Sequence, residues 1–288
     1  MKVIETIKSE KPTLSFEVFP PKTSDNFESV RTAAEKIADL KPAFMSVTYG
    51  AGGGTSDFTV DLAEDLIKQK GVTPLTHLTC VSADENKIET ELNKIKSKGI
   101  ENILALRGDI PEGLDKSKMK YKYAYELIEK IKDFDESFCV GGACYPESHP
   151  ESENGEKDIE SLKIKVASGC EFLTTQMFFD NNILYNFIMR LLKKGVDVPV
   201  VAGIMPVTNA RQIKRITAIS KNTLPQRFVR IVDRFADNEQ ALMQAGIAYA
   251  TEQIIDLYAN GISAVHVYSM NNPEVAKRIK NNLTEILK

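Results

Sequence analysis

Long apolar runs are missing from this 288-residue chain. No stretch approaches the roughly 18 uninterrupted apolar residues of a membrane-crossing helix, and Met1 to Glu10 is charged, without the apolar centre of a secretory leader. A soluble, cytoplasmic protein is the expectation. Cysteine is scarce: Cys80, Cys139, Cys144 and Cys170 show neither CxxC spacing nor the density of a disulfide framework, which argues against metal binding and for four reduced thiols. An excess of one charge is absent too, with 37 Lys+Arg against 40 Asp+Glu for a formal net charge of -3. No long basic run is available to follow a phosphate backbone, so nucleic acid is not an expected partner. Neither GxGxxG nor GxxxxGK[ST] occurs.

What is present is ordinary globular composition, 42% hydrophobic and 27% charged, in a chain long enough to bury roughly 75% of its unfolded surface. Short β-rich runs alternate with segments of helical period from one end to the other, the pattern of a parallel sheet. The strand candidates are Leu14 to Phe19, Phe44 to Tyr49, Leu75 to Val81, Ile103 to Arg107, Phe138 to Tyr145, Phe172 to Phe179, Val198 to Met205 and Ala264 to Met270. Helices are expected over Phe27 to Leu40, with Asp25 and Asn26 as cap candidates, from Asp84 to an end at Gly99, and over Pro273 to Leu287, capped by Asn272. Leu224 to Gly261 is too long for one crossover and is read as a continuation of the seventh helix plus an accessory helix. The expectation is an α/β fold: one catalytic domain over 1–288, an eight-stranded parallel (β/α) TIM-type barrel with an accessory helix before strand eight.

In such barrels the chemistry sits at the carboxyl ends of the strands, where this chain gathers polar residues. Alternation puts Ser15 and Glu17 on the inner face of strand one if Leu14, Phe16 and Val18 meet the helices, and Pro20 ends the strand just beyond. Glu17 then lies near the mouth, where apolar neighbours would raise its pKa and suit it to general acid work; the alternative is a structural carboxylate paired with Arg or Lys. The loop from Ala51 to Ser56 is glycine-rich, either a backbone cradle for a ligand or simply flexible. His77 on strand three is either a hydrogen-bonded core residue or a functional group. Arg107 and Asp109 share a face around Gly108, either as a salt bridge or as a grip on a ligand with both charges. Tyr145 and His149 follow strand five, Thr174 and Gln176 share a face of strand six, and Tyr268 ends strand eight. A buried Gln176 needs a partner or a ligand.

These segments closely resemble the methylenetetrahydrofolate reductase family: SFEVFPPKT from Ser15, SVTYGAGG from Ser46, PLTHLTC from Pro74, LALRGD from Leu104, CYPESHP from Cys144, TTQMFFD from Thr174 and GIMPV from Gly203. The match is ordered and spans nearly the whole chain, at the length of the prokaryotic form confined to the catalytic domain. The resemblance implies FAD at the carboxyl ends of the barrel strands, contacted by Thr48, His77, Leu106, Arg107, Gly108, Asp109, Tyr123, Ala124, Tyr145, His149, Asp158 and Lys165. It implies reduction of 5,10-methylenetetrahydrofolate to 5-methyltetrahydrofolate by ping-pong hydride transfer through flavin N5. In that scheme Glu17 is the general acid, Asp109 the carboxylate near flavin and folate, and Glu17, Asp109, Gln176 and Tyr268 the substrate contacts. Lys165 and Arg107 suit the anionic parts of the cofactor, with surface charge as the alternative for Lys165.

The pattern is broken in three places. Ala210 stands where an aromatic follows Asn209 in familiar bacterial members, Asn272 where an Arg is expected after Tyr268, and Ser161 where an Asn is expected. These departures leave the electron donor open between NADH, NADPH and a partner subunit carrying iron–sulfur or zinc sites. A homo-oligomer is compatible with the sequence. Two other readings stay open: a non-flavin folate-dependent methyltransferase barrel, and a flavin- or folate-binding subunit of a larger complex.

Overall fold

A strand covered by helices on one side and closed into a barrel on the other must be apolar outward, while its inward face may change character along its length. The structure, a computed structural model, describes residues 1–288 except 22, 50–55, 112, 116, 118, 210, 214–215 and 217–222. The glycine-rich loop up to Thr55 and Ala210 therefore lie outside the described residues. Eight strands, β1 (Thr13–Val18), β2 (Met45–Val47), β3 (Pro74–Thr79), β4 (Asn102–Leu106), β5 (Cys139–Cys144), β6 (Phe172–Thr175), β7 (Val200–Ile204) and β8 (Ala264–Val267), pair in sequence order as a closed barrel. Every pairing is parallel, and β8 closes the ring on β1 with His266 opposite Ser15. Each predicted strand is present; β1, β3 and β4 begin one residue earlier than expected, and all eight end short of the expected last residue because pairing stops where the loops leave the ring.

Outward-facing Leu14, Phe16, Val18, Val47, Leu78, Ile103, Val140, Leu173, Ile204 and Val267 share one core with the surrounding helices. Those helices are α2 (Phe27–Ala38), α3 (Ser56–Lys70), α4 (Glu85–Ser97), α5 (Ala124–Phe134), α6 (Gly155–Ala167) and α7 (Asn181–Lys193), followed by α8 (Gln226–Phe235), α9 (Glu239–Ala259) and α10 (Pro273–Asn282). Local signals set several ends. The Asp84 side chain accepts from the Lys87 amide at the start of α4, and Asn272 accepts from the Glu274 and Val275 amides at the start of α10. The expected cap of α2 is not formed: a short 3₁₀ turn, Ser24–Asn26, leads into the helix, and Asn26, its backbone turned away from the extended conformation a cap needs, makes no side-chain cap bond. In the long connection before β8, α9 packs against α7 and α10 and so takes the seventh place in the ring. The accessory helix is α8, which seats Phe228 and Val232 with Phe179 and Leu242 in a separate apolar cluster. No described helix is long and apolar enough to cross a membrane.

Inside the ring the amino-terminal half is apolar. Phe44, Leu75, Leu104, Cys139, Phe172, Val201 and Ala264 fill it, and a short first helix, α1 (Val3–Ile7), plugs the floor with Val3, Ile4 and Ile7. The Phe172 ring takes the space beside Gly141, where a Cβ would fall 2.4 Å from a ring carbon. Buried Asn102, at the start of β4, ties the plug to the barrel: its Oδ1 accepts from the Val3 amide at 2.7 Å, while its Nδ2 donates to the carbonyls of Met1 (3.2 Å) and Pro74 (3.1 Å). Asn102→Ala should therefore cost about 2–3 kcal/mol, because buried backbone groups lose their partner. Urea unfolding checks this, and a loss under about 0.5 kcal/mol, the scale of a surface change, would mean the plug is not held through Asn102.

Candidate active site

The carboxyl-terminal half of the interior is polar. Ser15 and Glu17 point inward from β1 as alternation requires, Ser46 from β2, His77 from β3, Thr174 from β6 and His266 from β8. The Glu17 side chain is one-fifth exposed at the mouth, and among the described residues the basic group within salt-bridge range is His77, whose Nε2 stands 3.8 Å from Glu17 Oε2. No described Lys or Arg pairs with Glu17, so among the described residues the structural ion-pair alternative is not realised. Burial raises the Glu17 carboxyl to about 7, against a smaller opposing effect of the Ser46 hydroxyl beside it. Burial likewise holds His77 down to about 4. Between about pH 4 and about pH 7, a neutral carboxyl thus faces a neutral imidazole. His77 Nε2 and Thr174 Oγ1 are buried without a hydrogen-bond partner, a costly condition unless a ligand supplies one.

His266, which the motif reading passed over, occupies the middle of this interior. It is 2% exposed, lies stacked on Phe44 with ring centroids 5.4 Å apart, and meets Tyr268 edge-on at 5.6 Å. Burial, then repulsion from His77, lowers its pKa to about 3. The signal was available: position 266 precedes Tyr268 by two and therefore shares its inward face. Tyr268 itself reaches across β7 to donate to the Thr175 carbonyl, passing over Gly203, where a Cβ would fall 2.3 Å from the phenol oxygen. Gln176 is half-buried rather than buried. Its Oε1 accepts from the Met177 amide at 2.9 Å, whereas its Nε2 makes no hydrogen bond among the described residues.

A second, charged cluster forms where the loops after β4 and β5 meet α6. Arg107 does not bridge to Asp109; its guanidinium pairs with Glu151 and donates to the Gly108 carbonyl at 3.2 Å. Asp109 is exposed, yet near enough to Tyr145 to help raise that phenol's pKa after burial. Gly108 has φ +88, and a Cβ there would come within 3.0 Å of Val81, so glycine is required for the loop to cross the end of β3. Tyr145 meets His149 edge-on at 4.6 Å, and the His149 amide donates to buried Asp158 at 3.2 Å. Lys165 is not a surface charge. Its stem lies over Gly142 and its Nζ donates to the Ala143 carbonyl at 2.6 Å, with burial lowering its pKa.

The remaining positions lie around this rim or away from it. Thr48 follows β2 and Leu106 ends β4; Ala124 starts α5, preceded by Tyr123, which is 55% exposed. The carbonyl of Tyr123 lies 3.9 Å from Cys80 Sγ, beside the end of β3. Ser161 is exposed and bonds its own helix through the Lys157 carbonyl. Asn272 is committed to capping α10, and its neighbour Asn271 clamps both backbone groups of Phe19, directly after β1.

A family model described as methylenetetrahydrofolate reductase matches residues 2–284. The chain belongs to the methylenetetrahydrofolate reductase family. Methylenetetrahydrofolate reductase (NADH) 1 of Zea mays is 35% identical across 98% of this chain and 50% of its own length. The 5,10-methylenetetrahydrofolate reductase of Escherichia coli (strain K12) is 33% identical across 94% of this chain and 90% of its own. The chain thus spans about half the length of the plant methylenetetrahydrofolate reductases it matches and most of the bacterial one. Among solved structures, an uncharacterized Clostridium thermocellum protein that binds two copies of 5-methyl-5,6,7,8-tetrahydrofolic acid aligns with a TM-score of 0.68 over 96% of this chain and 98% of its own. At 13% identity that likeness shows the fold alone.

The raised Glu17 pKa has a consequence for stability. The folded chain holds this proton more tightly than the unfolded chain, so the stabilisation is complete below 4.5 and is lost as pH rises through about 7. The depressed histidines act oppositely, their contribution being lost as pH falls through about 4 and about 3. Those histidines are common to wild type and Glu17→Gln, so the difference between the two proteins isolates the carboxyl. From acid to about pH 8 it should move in favour of Glu17→Gln by roughly 3 kcal/mol. Urea midpoints taken across the range provide the measurement; a flat difference would show that ionising Glu17 carries no burial cost.

Proposed function

We propose that this chain reduces 5,10-methylenetetrahydrofolate to 5-methyltetrahydrofolate with FAD as cofactor and Glu17 as the general acid. The observation that carries the reading is Glu17 itself: a carboxyl at the barrel mouth, faced by a neutral imidazole instead of a cation, retaining its proton near neutral pH. Family membership supports the folate reaction, and the names of the plant relatives support NADH as reductant.

The residues present fit a large, partly anionic cofactor. Orphaned His77 Nε2 and Thr174 Oγ1 call for a polar partner at the mouth, and the charged cluster beside them offers cations that are already half-desolvated. Arg107 and Lys165 would hold the anionic portion. His77, Thr48, Gly108, Tyr123, Ala124, Tyr145, His149 and Asp158 would form the rest of the cradle, and Gly108 admits close backbone approach. FAD, when bound, supplies the hydride that the chain's side chains cannot.

Glu17 holds a proton on its carboxyl oxygen and gives it to the departing ring nitrogen of the folate, opening the five-membered ring to the 5-iminium cation that accepts hydride. Its elevated pKa favours that transfer, since a carboxyl already ionised has nothing to give. Asp109 stays at the rim, where its negative charge favours the cation. Gln176 offers an unengaged amide donor to the folate, and Tyr268, pinned to the Thr175 carbonyl, walls the pocket without moving. Electrons reach the site from NADH, from NADPH or from a redox partner subunit.

The decisive experiment records the visible spectrum of the purified chain with added FAD, then follows bleaching on anaerobic mixing with NADH, NADPH or a low-potential donor. A bound flavin bleached by one of these, with turnover of methylenetetrahydrofolate, is expected. Failure to bind FAD would favour the non-flavin methyltransferase reading, and flavin binding without turnover by the wild type would favour a binding subunit. Glu17→Gln should lower folate reduction by a factor of about 100 or more while flavin binding and bleaching persist. Folate reduction at wild-type rate in that variant would remove Glu17 from the mechanism.

A further inference from the structure

Both ring nitrogens of His266 are engaged in the barrel interior. Nδ1 lies 2.7 Å from Ser15 Oγ and Nε2 lies 2.9 Å from Ser46 Oγ. Ser15 Oγ in turn donates to the Val265 carbonyl at 3.0 Å. Ser46 sits opposite Glu17 in the β1–β2 register, its hydroxyl beside the carboxyl. Four side chains on three strands thus form one line from a backbone carbonyl to the mouth of the barrel.

The carbonyl at the inner end orders the protons. A carbonyl only accepts, so Ser15 spends its single hydrogen on Val265 and can only accept from His266. The hydrogen of His266 therefore sits on Nδ1, leaving Nε2 to accept from Ser46. Ser46 lowers the Glu17 pKa only where it donates to the carboxylate; with its hydrogen spent on His266 it has only lone pairs to turn toward Glu17, and the carboxyl group that satisfies them is the protonated one. An ionised Glu17 would need the whole line reversed: Ser46 donating to the carboxylate, His266 carrying its hydrogen on Nε2, and Ser15 abandoning Val265 to donate to Nδ1.

We propose that His266, anchored through Ser15 to the Val265 carbonyl, is the positioning residue that biases Glu17 toward its proton-bearing form. This rests on the reading of Glu17 as the proton donor. The line stores orientation and does not deliver protons, because it ends on a backbone carbonyl; Glu17 recovers its proton from the mouth. Among the described residues, the other titratable groups facing the line are His77 from β3 and Tyr268 at the end of β8, and Tyr268 is committed to the Thr175 carbonyl.

The tautomer is directly observable. In the full chain with ¹⁵N-labelled histidine, assigned by comparison with His266→Phe, ring ¹⁵N shifts should show His266 neutral with its hydrogen on Nδ1 at about pH 6. It should transfer to Nε2 as Glu17 ionises, following the ¹³C titration of the Glu17 carboxyl. Ser15→Ala, which removes the anchor with little change in volume, should lower the apparent Glu17 pKa by about one unit, and Ser15→Thr, which keeps a hydroxyl, should restore it. An Nε2–H tautomer throughout, or a Glu17 titration unmoved by Ser15→Ala, overturns the proposal. These readouts need neither flavin nor folate, so an active Glu17→Gln enzyme would refute the acid assignment while leaving the tautomer result standing, and the two failures are distinguishable.

Discussion

Closure of the sheet is the constraint on which everything else depends. Eight parallel strands paired in sequence order have no free edge, so each must bury one row of side chains under helices and send the other row into a narrow interior. The outward row is buried under the helices and is apolar apart from Thr76 and Thr175. The inward row is divided. Phe44, Leu104, Phe172 and Val201, closed off by α1, make an apolar floor, and above it stand Ser15, Ser46, His77, Thr174, His266 and Glu17. The floor excludes water from below, which is why the Glu17 carboxyl, two residues above the level of Phe44 in the β1–β2 register, meets a low dielectric while its tip still reaches solvent.

That division explains what was legible beforehand. All eight strands could be read because an outward apolar row and flanking turn residues leave a strong local signature, and the direction of Glu17 followed from Leu14, Phe16 and Val18 alone. Lys165 could not be decided from sequence, since a lysine in a helical segment has the same pattern whether its stem lies in solvent or over Gly142. The partner of Arg107 was also hidden: Asp109 is two residues away, but Glu151 arrives from another loop and wins on geometry. The plug helix was missed because only Val3, Ile4 and Ile7 carry it, within a charged decapeptide and for barely more than one turn. His266 illustrates a different failure. No motif marks it, and the signal that carries it is the alternation that aligns it with Tyr268.

Among the departures from the family pattern, Asn272 now has a structural account. Its side chain holds the first amides of α10, a role an arginine cannot fill because it has no acceptor. The adjacent Asn271, with φ 53, clamps Phe19 and thereby fixes the end of β1 just past Glu17. The pair has been given over to joining β8 to β1, and Ser269 adds a bond to the Glu17 carbonyl at 3.1 Å. These bonds tie the end of β1, next to Glu17, to the turn that follows β8.

On the proposed reading, the two polar clusters make opposed electrical demands, and their separation lets both be met. An acid that must stay protonated is best served by the absence of cations, since a lysine or arginine in contact would pull its pKa down. An anionic cofactor requires cations, and partly buried ones act over a longer range than solvated ones. Here Arg107, His149, Asp158 and Lys165 gather around the ends of β4 and β5, while Glu17 lies on the β1–β2 side among neutral hydroxyls and imidazoles. Arg107 is further muted by Glu151, and Lys165 by its bond to the Ala143 carbonyl. On the proposed reading, anion binding at one side of the mouth therefore need not ionise the acid at the other. The same separation accounts for Asp109 at the rim: a carboxylate that is to remain charged belongs on the exposed, cation-rich side, and one that is to remain neutral belongs over the apolar floor.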